Sequence, residues 1–133
     1  MRITERQVGE ATVLDVRGAL VGYKSAEMFD ETVRRLCRGG STEIVANLAR
    51  VPAVDLVGLG ALVAAHRAVR EAKGVLKLAA ITRRIHDLVV ITRLLTVFDT
   101  YDSVEEAAGR EPRAADRSPA PVSAGIQNFL RRA

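Results

Sequence analysis

Short apolar runs alternate with amphipathic helical patterns along residues 1–109, and this alternation restricts the chain to few folds. The segments "TEIVANL" and "GVLKLAAI" are nearly continuous apolar runs, which are typical of buried parallel strands. The segment "TRRIHDLVVIT" follows the second run and repeats its apolar residues at helical spacing. Strands that alternate with helices favour a parallel sheet covered by helices. We therefore predict a small α/β domain.

The predicted element order is β-β-α-β-α-β-α-β-α, which gives a mixed sheet of about five strands and about four helices. The segments "RITERQ" and "ATVLDVRG" form an opening strand pair joined by a tight turn. Ser25 is predicted to cap the first helix, which ends at Gly39 and Gly40. "TVFDTYD" is the last strand, and "SVEEAAG" begins a short helix with a capping box of Ser103 and Glu106.

The composition excludes several classes of protein. Cys37 is the only cysteine, so the chain has no internal disulfide and no cysteine-based zinc site. The opening "MRITERQVGE" carries charges where a signal peptide would be apolar, and no apolar run reaches the length of a transmembrane helix. We therefore expect a cytoplasmic protein without stable membrane insertion.

The composition changes abruptly after Gly109. The segment 110–133 contains three of the four prolines, and we predict that it is a flexible tail behind a domain formed by 1–109. The tail has five basic and two acidic side chains, whereas the domain is nearly neutral. Apolar residues near the end of the tail recur at helical spacing, which leaves a short docking helix and a frayed terminus both open; these residues are Ile126, Phe129 and Leu130.

The segment "VPAVDLVGLGAL", Val51 to Leu62, places an acid and two glycines in an apolar run. Asp55 is predicted to be the N-cap of a helix that begins near Leu56, accepting a backbone amide of Val57 or Gly58. Glycine inside a helix costs about 1 kcal/mol relative to alanine, so Gly58 and Gly60 require an explanation. Either the first turn approaches another part of the backbone closely, or a partner lies over it. Neither a P-loop nor a dinucleotide-binding glycine pattern is present.

Other candidate sites are weaker. His66 and His86 are the only histidines, and neither has a serine or cysteine partner at a recognisable spacing, so we predict structural or solvated roles for both. Paired arginines in "TRRIH" and "RRLCR" are more typical of a solvated helix face than of a nucleic-acid site, because the domain is nearly neutral and has few aromatic residues. We therefore predict no catalytic residues, no metal, no cofactor and no nucleic acid.

The stretch "VDLVGLGAL", which follows an apolar strand and a turn, resembles the D-[ST]-[ST]-G-[LI]-G element of the STAS domain. This family is shared by sulphate transporters and anti-sigma factor antagonists. The resemblance covers roughly 1–109, from the opening strand pair and "GAL" to the closing "FDTYDSVEEAA". It implies an α/β domain whose exposed first turn of the second helix docks on an anti-sigma factor or a serine-kinase-like regulator.

The resemblance also identifies a difference from phosphorylatable members, in which the second hydroxyl residue of the motif accepts phosphate. The matching residue here is Val57, and no serine or threonine lies between Thr42 and Thr82. A second difference lies before the first helix, where members that resemble the sporulation antagonist tend to have an acid and this chain reads Val21-Gly22-Tyr23. The partner-binding residues implied are Tyr23, Lys24, Asp55, Leu56, Val57, Gly58, Leu59 and Gly60.

The leading hypothesis is thus a non-enzymatic antagonist of an anti-sigma factor that lacks the phosphorylation switch. Without a hydroxyl, Leu56 and Val57 form a candidate exposed apolar pair; if Val57 instead points inward, the fold is a scaffold without this site. A subunit of a lipid or solute transport assembly is the alternative, and a small ligand-binding or hydrolytic enzyme is a third hypothesis. A homodimer also remains open.

Overall fold

A five-stranded sheet runs through the centre of the molecule and has helices on both faces. The computed structural model describes residues 1–94 and 96–109. In chain order the elements are β1 (Arg2–Val8), β2 (Ala11–Arg17), α1 (Gly22–Arg38), β3 (Glu43–Arg50), α2 (Leu56–Glu71), β4 (Val75–Ala79), α3 (Arg83–Ile91), β5 (Asp99–Tyr101) and α4 (Val104–Ala108). The predicted element order and the mixed α/β sheet are confirmed.

The strands lie in the sheet in the order in which they occur along the chain, β1-β2-β3-β4-β5. β1 and β2 form an antiparallel hairpin, and the later neighbours are all parallel. The carboxyl ends of β2 and β3 therefore lie at the same edge of the sheet, and α1 and α2 begin just beyond it. Candidate functional residues of α1 and α2 are brought together there.

Helices α1, α2 and α3 cover one face of the sheet because each turns an apolar stripe toward it. Phe29, Leu62 and Ile85 are buried in one cluster with strand residues such as Leu14 and Leu78. Val33 and Leu36 continue the α1 stripe, at the helical spacing that the sequence shows. Most of the core therefore lies between these helices and the sheet.

The other face of the sheet is covered in part by the short helix α4. Val104 and Ala107 pack there with strand residues, and Lys77 is completely buried beside them. The Lys77 ammonium donates to Glu43 Oε2 and to the Ala107 carbonyl oxygen, each at 2.8 Å, and it lies 5.4 Å from the centre of the Tyr101 ring. Since a buried charge must be paired, these contacts tie the end of α4 to the sheet.

Several predicted boundaries require correction. α1 begins at Gly22, with Val21 as N-cap, so the prediction that Ser25 caps this helix is wrong. α2 ends at Glu71 instead of reaching Gly74. β5 comprises three residues and is shorter than the predicted strand over 96–102. The predicted tail, 110–133, lies outside the described residues.

Candidate functional site

The loop before α1 and the turn before α2 run side by side at one edge of the sheet. Leu20 forms an isolated parallel bridge with Val54, and its amide donates to the Ala53 carbonyl oxygen at 3.0 Å. The Asp55 amide donates to the Leu20 carbonyl oxygen at 3.4 Å. These backbone contacts bring the starts of the two helices together, a juxtaposition between segments more than thirty residues apart that local sequence patterns do not reveal.

The Asp55 carboxylate connects the two helix starts directly. Its Oδ1 accepts the Gly58 amide at 2.8 Å, which confirms the predicted N-cap of α2. Its Oδ2 accepts the Gly22 amide at 3.0 Å, so the same carboxylate also satisfies the first amide of α1. This second bond explains why Ser25 is not needed as a cap. Hydrogen bonds from Gly58 and, to a lesser extent, from Gly22 hold the pKa of Asp55 below its usual range.

The two motif glycines have different surroundings. A Cβ atom on Gly58 would lie 2.0 Å from the Leu20 carbonyl oxygen. Close approach to another part of the backbone, the first of the two explanations considered from the sequence, therefore accounts for this glycine. A Cβ atom on Gly60 would meet no described atom within 4 Å beyond the neighbouring backbone of its own helix. Gly60 is exposed, and packing within the described residues does not explain it. The other explanation, a partner lying over the helix, stays a prediction for Gly60.

The motif side chains divide into exposed and buried groups. Leu56 is 71% exposed and Tyr23 is 82% exposed, although both are large and carry apolar surface. Val57 is partly buried. The expected apolar pair therefore consists of an exposed Leu56 and a half-buried Val57. Leu59 is 3% exposed and packs in the core, which leaves its side chain unavailable to a partner, contrary to its place in the implied binding set.

We use the term docking surface for the residues accessible at these two helix starts. Val21, which sequence reasoning missed as a site residue, is 40% exposed at the N-cap of α1, and Lys24 is exposed one turn further on. The docking surface comprises Val21, Tyr23, Lys24, Leu56, Val57 and Gly60. Asp55 lies between the two groups and fixes their relative position, and Gly58 allows the close packing beneath them.

His66 lies further along α2, and its surroundings favour a structural role. Its ring meets Phe98 edge-on with centroids 5.8 Å apart, and its Nδ1 atom is buried without a hydrogen-bond partner among the described residues. Burial lowers the pKa of His66, and the charge of Arg70 lowers it further, although Asp99 opposes both effects. The neutral imidazole is therefore the form that the fold accommodates.

We expect acidification to destabilise the protein through His66. The pKa of this group is about 6.5 in the unfolded chain and lower in the folded one, so the unfolded state binds more protons between these two values. The stability that depends on neutral His66 is fully present above pH 6.5. It is lost as the pH falls through the pKa of His66 in the folded protein. Urea denaturation at pH 7 and pH 5.5 should show a larger loss for the wild type than for His66→Leu. Equal losses would contradict the prediction.

The described residues contain no group of three or more His, Cys, Asp or Glu side chains that could hold a metal ion. Within the same part of the chain, no helix has both the length and the apolar character needed to cross a bilayer.

Comparisons with known proteins agree with this architecture. A putative anti-sigma factor antagonist from Thermotoga maritima has a similar structure, with a TM-score of 0.69 at 19% identity over 79% of this chain and 90% of that chain. The Bacillus cell fate determinant SpoIIAA in its phosphorylated form gives 0.63 at 18% identity, over 80% of this chain and 96% of that one. A sulfate transporter family protein from Wolinella succinogenes gives 0.67 at 14% identity, over 76% and 84%.

At these identities the structural likeness establishes the fold alone. No curated protein matches the sequence. The family itself is established by sequence, because the pattern of the STAS domain matches residues 2–107, which include every element of the sheet and both helix starts at the docking surface. The chain therefore belongs to the STAS domain family.

Proposed function

We propose that this protein is a non-enzymatic, cytoplasmic antagonist that binds an anti-sigma factor or a related serine-kinase-like regulator through the docking surface. The observation that carries the proposal is the exposure of Tyr23 and Leu56 on helix starts that Asp55 holds together. Large exposed apolar side chains grouped in one place are typical of protein-interaction sites. The putative anti-sigma factor antagonist from Thermotoga maritima among the structural neighbours supports this class of partner.

The chemistry of the docking surface supports a contact that phosphorylation of the motif does not control. Val57 occupies the position at which a hydroxyl would accept phosphate in phosphorylatable members of the family, and neither it nor Leu56 has one. An apolar side chain at this position is suited to a permanent contact, because it needs no hydrogen-bond partner when a second protein covers it. We infer that binding depends on partner concentration and not on a phosphorylation state of α2.

Co-purification from the native host, followed by mass spectrometry, tests the proposal. The full-length protein should retain an anti-sigma factor or a serine-kinase-like regulator. Recovery of metabolic enzymes or transport ATPases alone would contradict it. A Leu56→Asp bait provides the specificity control, since a genuine partner should be depleted from its eluate.

A subunit of a transport assembly is the second candidate function. The observation that favours it is the structural likeness to the sulfate transporter family protein from Wolinella succinogenes. The two candidates differ in genetic context and in partners. A permease and an ATPase encoded beside this chain, and recovered with it, would favour transport over sigma-factor control.

Restoring a hydroxyl at position 57 should create a phosphorylation site. When the full-length wild type is incubated with its kinase-like partner and ATP, we expect no phosphate on α2, whereas Val57→Ser should gain one. The new phosphate would place about two negative charges in the contact and should release the partner. Intact-mass spectrometry and size-exclusion chromatography measure both effects. If Val57→Ser binds an active kinase partner but stays unmodified, the partner does not dock with its catalytic site over this turn.

A further inference from the structure

Three arginines lie next to one another at the edge of the sheet that also carries the docking surface. Arg17, the last residue of β2, is the register partner of Arg2 on β1. Beyond an irregularity between Asp15 and Arg17, it is also the partner of Arg50, the last residue of β3. We call these three residues the arginine row. All three are exposed, and the amide of Gly18 donates to the Arg50 carbonyl oxygen at 3.0 Å, which fixes the ends of β2 and β3 beside each other.

The positive charge of the arginine row is only partly balanced within the described part of the chain. None of its three members forms an ion pair with a described acid. Asp15 precedes Arg17 by two residues, and the charge of Arg17 contributes to lowering the pKa of Asp15. However, Asp15 is already engaged, because Arg6 Nε donates to it at 2.6 Å and Asn47 Nδ2 at 2.7 Å.

Like charges at directly opposite positions of neighbouring strands destabilise a sheet, so the pairing of Arg2 with Arg17 is unfavourable in the isolated domain. Arginine offers a planar set of donors that matches carboxylates in two-point hydrogen bonds. The chain passes from Arg17 and Arg50 into the two loops that Leu20 and Val54 join, so the backbone at the end of the row leads to the docking surface.

We propose that the arginine row binds an acidic segment of the protein that occupies the docking surface. The inference rests on the proposed function for the existence of that protein, and it adds the chemistry that the protein must present. Apolar contacts at Tyr23 and Leu56 hold the partner, and carboxylates beside them pair with the three guanidinium groups. Charge pairs at the rim of a contact mainly increase the association rate and make the affinity dependent on salt.

Fluorescence anisotropy with a labelled octaglutamate peptide and the full-length chain tests the proposal without an identified partner. The triple variant Arg2→Gln, Arg17→Gln, Arg50→Gln should bind the peptide at least about fivefold more weakly than wild type at 50 mM salt. Its affinity should also change less between 50 and 200 mM salt. Removing like charges should not unfold the sheet, which circular dichroism verifies.

A matched triple variant provides the control. Arg38, Arg67 and Arg84 are exposed on three helices, and replacing them by glutamine removes the same net charge while leaving the tail unchanged. This variant should bind the peptide within about twofold of wild type. Equal weakening by both triples would overturn the proposal, because binding would then follow net charge alone. Tighter binding of a single-stranded DNA octamer, weakened by the row variant, would overturn it in favour of nucleic acid.

The captured partner separates this inference from the proposed function. If Leu56→Asp loses the partner while the arginine-row variant keeps it with unchanged affinity and salt dependence, the docking surface stands and the acidic contact is wrong. If the arginine-row variant binds the partner more weakly and its affinity depends less on salt concentration, the acidic contact is supported. If Leu56→Asp keeps the partner with unchanged affinity, the docking surface is wrong, and the octaglutamate result alone decides whether the arginine row binds acidic chains.

Discussion

Replacing Gly58 by alanine should destabilise the domain by about 3 kcal/mol or more, a large part of the stability of a chain this size. The added Cβ atom would lie 2.0 Å from the Leu20 carbonyl oxygen and 2.9 Å from the carbonyl carbon, far inside van der Waals contact. These are backbone atoms and cannot rotate away, so α2 and the loop before α1 would have to separate. Separation would strain the bonds that Leu20 forms with Ala53 and Asp55.

Alanine at Gly60 provides the matched control for this prediction. Among the described residues, no atom beyond the neighbouring backbone of α2 lies within 4 Å of a Cβ at this position, so the substitution should stabilise the fold by about 0.5 to 1 kcal/mol. Urea denaturation of wild type and the two variants measures both effects. A Gly58→Ala protein within 1 kcal/mol of wild type would show that the helix and the loop are not in close contact.

Aspartate at Leu56 should weaken partner binding about a hundredfold or more while the fold stays intact. Leu56 is 71% exposed, so its removal leaves no cavity in the core. An acid in the first turn of α2 is favourable for the helix dipole. In the complex, however, an unpaired carboxylate would have to be buried among apolar groups, at a cost of a few kcal/mol. Isothermal titration calorimetry with the captured partner measures the difference.

Aspartate at Ile91 is a suitable control, because Ile91 is 77% exposed but lies at the end of α3 and outside the docking surface. Its variant should bind the partner as wild type does, provided that circular dichroism shows both variants folded. Val57→Asp should weaken binding as well, but by less, since Val57 is partly buried and offers less surface to a partner. Wild-type affinity for a folded Leu56→Asp protein would exclude this residue from the contact.

The order of elements could be read from the sequence because each element carries its own local pattern. Apolar runs such as "TEIVANL" identify buried strands, and helical spacing of residues such as Phe29 and Val33 identifies α1. The cap at Asp55 was also predictable, since its principal bond reaches only three residues along the chain, to Gly58.

Contacts between segments that are distant along the chain could not be predicted from the sequence. Local patterns misplace the start of α1, because its first amide is satisfied by Asp55, which lies 33 residues further along the chain. Gly58 and Gly60 look alike in sequence, and only the position of Leu20 distinguishes their roles. The burial of Leu59 likewise depends on the direction in which the first turn of α2 faces the sheet.

The double hydrogen bond of Asp55 has a consequence for how binding energy is used. A recognition surface composed of two segments normally loses conformational entropy when a ligand fixes them relative to each other. Here one carboxylate already fixes the amides of Gly22 and Gly58, so Tyr23 and Leu56 are held in a defined arrangement before any encounter. The surface is preorganised, and we expect the affinity of a complex formed there to be governed by the contacts themselves rather than by the ordering of loops.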